Sequence, residues 1–184
     1  MQSEFDKALK HLCSSVTRSL DNFDRENILE AVNTITEANQ VFVYGSGRSG
    51  LVGRSFAMRL MQIGLRAFFI GETITPSVKD GDCVVFISKT GETQTAIQAA
   101  KIVRDRVDAT NIIVTASPEA TLSKYGDIII KINLENSPDD PKYAPLGTIF
   151  EDSTMIFLDA LIAVLMEELN ESEEGMEYRH PILI

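Results

Sequence analysis

The chain has 184 residues, with 17 lysines and arginines against 27 aspartates and glutamates, so its formal net charge at pH 7 is −10. That length suits one compact domain with a sizeable core and is too short for two ordinary ones. Such an acidic surface argues against nucleic acid and anionic membranes as partners, and the longest apolar stretch, residues 155–166, contains Asp159 and falls short of the ~20 residues of a membrane span.

Residues 3–20 carry Phe5, Leu9, Leu12, Val16 and Leu20 at helical spacing, and a second helix is predicted from Asp24 to Ala38 with Ile28, Leu29, Val32 and Ile35 inward. The apolar run VFVY (41–44) reads as a strand. A helix follows from Arg48 to Ile63, stopped by Gly64. AFFI (67–70) and VVFIS (84–88) are strands, Thr93–Arg106 an amphipathic helix, and NIIVTA (111–116) and DIIIKI (127–132) two further strands. None of these strands alternates with polar residues, so both faces of their sheet should be covered. Strands separated by helical patterns predict right-handed crossovers and a parallel sheet. Residues 133–145 read as a surface loop, and Leu146 to about Asn170 as a helix apolar on nearly all sides, enclosed by neighbouring elements or by another subunit. The tail 171–184 is polar until Pro181-Ile182-Leu183-Ile184, an apolar ending that suggests docking.

Ligands of an open parallel sheet bind beyond the carboxyl ends of its strands. Three exits are therefore candidates: GSGRSG (45–50), GETITP (71–76) and SKTGET (88–93). The last places the hydroxyls of Ser88, Thr90 and Thr93, with the cation of Lys89, where a strand becomes a helix. Those groups suit a phosphate monoester, whose oxygens seek hydroxyls, free amides and the positive end of a helix. Thr90 or Thr93 could instead simply cap that helix. The first exit spells G-x-G-x-x-G, and Glu72 follows near where a dinucleotide fold keeps its acidic ribose ligand, so a nicotinamide-dependent oxidoreductase stays open. Arg48, the hydroxyls of Ser46 and Ser49, and the second hydroxyl-rich exit have no place in that pattern. Cys13 and Cys83 are too few for a disulfide framework, and the charged start MQSEFDKALK lacks the apolar core of a signal peptide, so a cytoplasmic setting is expected.

The stretches VFVYGSGRSGLVGRSFAMRLMQIG (41–64), GETITP (71–76), FISKTGETQT (86–95), PLGTIFEDS (145–153) and MEYRH (176–180) resemble, in order and over most of the chain, the sugar isomerase (SIS) domain family. The resemblance implies an α/β fold, a flavodoxin-like three-layer sandwich around a five-stranded parallel sheet. Residues 1–184 would form a single SIS domain, with 1–39 its N-terminal helices and 171–184 its tail. It further implies a homotetramer and a phosphorylated ketohexose substrate. The implied reaction interconverts 3-hexulose 6-phosphate and fructose 6-phosphate, as in the ribulose monophosphate pathway, with neither metal nor cofactor. Ser46, Gly47, Arg48, Glu72, Ser88, Lys89, Thr90 and Thr93 are the implied substrate-binding residues. Where the family often reads SGSGET this chain reads SKTGET, and its ending RHPILI replaces the common RHANLE.

Moving a carbonyl between adjacent carbons needs a base for a weakly acidic C–H and a proton route between two oxygens. Hydrogen bonds can carry the developing oxyanion. Glu151, beside Phe150 at the start of the most apolar helix, is the candidate base. Thr148-x-x-Glu151 is equally a capping-box pattern, which by itself accounts for the glutamate; the resemblance favours the base. His180 is the candidate acid or proton shuttle, and its place near the C-terminus suggests that it reaches a neighbouring subunit's site. A non-catalytic sugar-phosphate sensor on the same fold is the alternative, although no helix-turn-helix or basic output segment is recognisable in the sequence.

Overall fold

The computed structural model describes residues 3–182. In chain order the elements are α1 (Glu4–Ser19), α2 (Arg25–Glu37), β1 (Val41–Gly45), α3 (Gly47–Gln62), β2 (Ala67–Phe69), β3 (Cys83–Ile87), α4 (Gln94–Arg106), β4 (Thr110–Thr115), β5 (Ile128–Lys131), α5 (Asp140–Tyr143), α6 (Thr148–Glu168) and α7 (Glu173–Tyr178). The five strands form one all-parallel sheet in the order β2-β1-β3-β4-β5. The order reverses between β1 and β3, which places the topological switch point, where open α/β sheets receive ligands, at their carboxyl ends. Gly45 is the register partner of Ile87, so the exits GSGRSG and SKTGET leave the sheet side by side.

The two faces of the sheet account for the lack of polar alternation. Val41, Val43, Val85, Ile112 and Val114 cluster with α2, α3 and α6 on one side, while Phe42, Val84, Phe86 and Ile113 meet Ala96 and Ala100 of α4 on the other. Helices α1 and α2 start where their sequences supply caps. Ser3 and Asp6 form a reciprocal capping box, and the Asp24 carboxylate accepts from the amides of Glu26 and Asn27. Helix α1 lies outside the sandwich against α6.

Several sequence expectations need correction. Leu29 is 61% exposed rather than inward; Ala31, Val32 and Ile35 carry the buried face of α2. On α1 the stripe is buried only toward its end: Phe5 and Leu9 are exposed, and Val16 is in the core. The segment 133–145 is not loop throughout, because Pro141 at an early helical position starts the short α5. The last long helix begins at Thr148, two residues later than its apolar pattern, since Leu146 turns into the left-handed region at φ 61°. The tail contains α7, capped by Ser172. Ile182 is exposed, and the docking expected of Leu183 and Ile184 lies outside the described residues.

Candidate active site

The exit of β1 is shaped by close approach. A Cβ on Gly45 would stand 2.8 Å from the backbone of Ser49, and one on Gly50 2.6 Å from the Gly45 carbonyl oxygen. Only glycine lets α3 start this near the strand. Gly47 adopts φ 58°, and a Cβ there would meet open space. Ser46, an exposed residue, is the N-cap of α3 yet makes no side-chain capping bond, so the first amides of this 16-residue helix have no side-chain acceptor from their cap.

The exit of β3 is held by hydrogen bonds to the segment after β4. The Lys89 carbonyl accepts from the Ala116 amide at 3.1 Å, the Leu122 amide donates to the Gly91 carbonyl at 2.9 Å, and the Thr121 amide donates to Glu92 Oε1 at 2.8 Å. Gly91, at φ 63°, lies so close to Ala120 that a Cβ would stand 2.6 Å from that residue's methyl group. Within this frame Thr93 is the N-cap of α4 but makes no side-chain capping bond. Its hydroxyl lies 3.2 Å from that of Ser88, which also accepts from the Gly91 amide. Thr90 Oγ1 accepts from the Glu92 amide at 3.3 Å. The capping explanation of these hydroxyls therefore does not hold for Thr93. Two uncapped helix N-termini, those of α3 and α4, stand at neighbouring strand ends, the local electrostatics an anion needs in an acidic protein.

Glu151 meets the first of these exits through Arg48, and its side chain is only 12% exposed. The sequence-level capping box is absent: Gly147 is the N-cap of α6, and the Thr148 hydroxyl donates to the Pro145 carbonyl at 2.8 Å. Phe150, fully buried, anchors the first turn of the helix with about 2–3 kcal/mol of burial, so the neighbouring carboxylate sits on a firm support. Arg48 Nε lies 2.7 Å from Glu151 Oε2, and Arg48 Nη2 lies 3.5 Å from Asp152 Oδ1. The contact with Glu151 is Coulombic and lacks hydrogen-bond angles, since Oε2 is buried and accepts no directed bond. The other oxygen lies against Gly147, where a Cβ would come within 2.7 Å of Oε1. Arg48, Glu151 and Asp152 line a groove of about 780 Å³ whose other walls are mainly apolar, including Leu9, Leu51 and Ile156, and which Ser88, Thr90 and Thr93 do not border.

The remaining candidates are placed differently. Lys89 Nζ donates to the Leu146 carbonyl at 2.8 Å, tying the β3 exit to the start of α6. Glu72 pairs with Arg54, whose guanidinium lies 4.1 Å above the Phe69 ring. His180 is exposed and borders a separate groove with Met58 and Met61, at the far end of α3 from Arg48. Ten to thirteen residues of helix separate these ends, roughly 15–20 Å. Arg179 fixes that end by donating to the Gln62 carbonyl and pairing with Glu171. Within one chain, then, Arg48 and Glu151 meet while His180 stays apart. Among the described residues no three His, Cys, Asp or Glu side chains converge to hold a metal ion. Sequence reading missed Gly147, Asp152 and the Lys89–Leu146 link; the glycine directly before the predicted helix was the available signal for the first.

The chain is 37% identical to 3-hexulose-6-phosphate isomerase of Methanocaldococcus jannaschii over 160 residues, covering 86% of each protein. It is 36% identical to the enzyme of the same name from Bacillus subtilis, over 79% of this chain and 80% of that one. Among solved structures, a hypothetical protein of Methanococcus jannaschii, with an inferred function of 3-hexulose-6-phosphate isomerase, superposes with a TM-score of 0.84 at 32% identity, covering 99% of this chain and 100% of that one. With the SIS domain model matching residues 34–163, the chain belongs to the SIS domain family.

Proposed function

We propose that this protein is a sugar-phosphate isomerase that interconverts 3-hexulose 6-phosphate and fructose 6-phosphate. The observation that carries the reading is a largely buried carboxylate, Glu151, paired with Arg48 of the β1 exit, while the adjoining β3 exit carries hydroxyls at a helix start without a side-chain cap. The relatives named 3-hexulose-6-phosphate isomerase point to the same substrate.

In this reading Ser88, Thr90 and Thr93, with the first amides of α4, hold the phosphate, and Ser46, Gly47 and Arg48 line the sugar. Glu151 takes the proton from the carbon next to the carbonyl, the electrons move to the carbonyl oxygen, and a cis-enediol forms. Return of the proton to the adjacent carbon completes the transfer. His180 serves as acid or shuttle in the site of another copy, because its own chain holds it at the opposite end of α3. Glu72 stays a candidate for the sugar hydroxyls once Arg54 yields it. We read residues 1–184 as one SIS domain, assembled as a homotetramer in the cytoplasm. The exposed Phe5, Leu9, Leu51 and Ile156 along α1, α3 and α6 support association between copies. Among the described residues no helix is long and apolar enough to cross a membrane.

The test is incubation with fructose 6-phosphate in deuterated water. Moving the carbonyl from C2 to C3 passes through loss of the C3 proton, so recovered sugar should carry deuterium at C3. Deuterium at C1 instead would mark an aldose–ketose isomerase, and none at either carbon would favour a non-catalytic sensor.

A further inference from the structure

We infer that Lys89 is a positioning residue for Glu151, acting through the Leu146–Gly147 turn; the inference rests on Glu151 being the base. Lys89 leaves the loop between β3 and α4, and its ammonium donates to the carbonyl oxygen of Leu146, 57 residues further along the chain, at 2.8 Å. Leu146 adopts φ 61°, a conformation a leucine rarely takes, and the residue is 96% exposed, so little packing of its own holds it there. Such backbone persists where the surroundings over-determine it. The amide and hydroxyl of Thr148 both donate to the Pro145 carbonyl and close the turn from within, while the charged bond from Lys89 holds it from outside.

The next residue makes the strain matter. Gly147 forms the floor beneath the carboxylate: its carbonyl accepts from the Glu151 amide at 3.0 Å, and a Cβ on it would stand 2.7 Å from Glu151 Oε1. If the turn relaxed to an ordinary φ, that floor would move and the carboxylate with it. Lys89 therefore links the hydroxyl-bearing loop to the placement of the base, a role distinct from a direct contact with phosphate.

Three proteins test this: Lys89→Met, Leu146→Gly, and the double variant. Glycine adopts positive φ freely, so the turn should keep its shape in the double variant without the lysine. Lys89→Met should speed amide hydrogen exchange at Thr148 and Glu151 in the ligand-free protein, read by NMR, and the added Leu146→Gly should slow it again. In turnover, Lys89→Met should lower kcat by between about tenfold and about a hundredfold, as small misplacements of a reacting group do. KM should stay within about twofold, since the interaction acts on the chemical step. The double variant should recover most of the lost kcat. A raised KM with unchanged kcat, unrescued by Leu146→Gly, would make Lys89 a phosphate contact and overturn the inference. Unchanged amide exchange in Lys89→Met would overturn it as well. If the wild-type protein exchanged no sugar proton, the isomerase reading would fail, while the amide exchange would still decide whether Lys89 holds the turn.

Discussion

Substituting alanine for Gly147 should uncouple stability from activity. The backbone at this position, φ −106° and ψ 7°, is open to any residue, so the substitution introduces no left-handed strain. The added methyl would lie 2.7 Å from Glu151 Oε1 where ordinary contact begins at 3.4 Å, so the carboxylate must retreat by about 0.7 Å. The displaced atom is the far end of a side chain, so most of the stability cost comes from replacing a glycine N-cap with the less favoured alanine, about 1 kcal/mol. Catalysis is less forgiving, because a misplacement of ~1 Å at a reacting group can lower the rate by up to about a hundredfold. Gly147→Ala should therefore melt within a few degrees of wild type while its kcat, followed by conversion of 3-hexulose 6-phosphate, falls by at least about tenfold. A variant with unchanged kcat would refute the claim that the Glu151 carboxylate works from the place where Gly147 seats it.

Ser88→Ala and Thr93→Val should each raise KM for the sugar phosphate about tenfold, the loss expected when a hydrogen bond to a charged group disappears. Thr93→Val should barely change the melting, because Thr93 makes no side-chain capping bond to α4, whereas Ser88→Ala removes the acceptor of the buried Gly91 amide and should melt a few degrees lower; an unchanged KM in both variants would return the hydroxyls to a structural role. A thiol reagent at neutral pH should modify one cysteine in the native protein and two after unfolding. Cys13 is exposed, whereas Cys83 is fully buried and burial, helped by the nearby Asp82 and Asp127 carboxylates, pushes its thiol far up. Stability should also record Asp140. Burial alone would raise its carboxyl, but the bonds from the Ser137 amide and from His11, 2.8 Å away, outweigh that and hold it below its usual value. A lowered folded value means the stabilisation is present above the unfolded carboxylate range and is lost as pH falls through the folded one. The stability gap between wild type and Asp140→Asn should thus be open near neutrality and close below about pH 3.9.

The sheet was legible because each strand is an uninterrupted apolar run between helical periods, and such runs admit little besides buried parallel strands. The glycine-rich and hydroxyl-rich exits were legible for a related reason: glycines at a strand end mark a close approach of backbone, and hydroxyls at a helix start mark polar groups seeking partners. Contacts between distant segments were not legible. Nothing near Lys89 in sequence announces Leu146, and the pairing of Arg48 with Glu151 joins residues 103 positions apart. The capping-box pattern at Thr148 misled because the left-handed Leu146 shifts the start of α6 and makes Gly147 the N-cap. His180 shows the opposite limit: its residue type suited the chemistry, but one chain by itself keeps it at the wrong end of α3.

The most direct measurement compares wild type with Glu151→Gln for deuterium uptake at C3 of fructose 6-phosphate, with sugar-phosphate affinity determined alongside. The amide keeps the size of the carboxylate but cannot take a proton. C3 exchange should fall by about a hundredfold to ten-thousandfold while the dissociation constant changes little. Wild-type exchange in Glu151→Gln, at unchanged affinity, would mean that another group removes the proton.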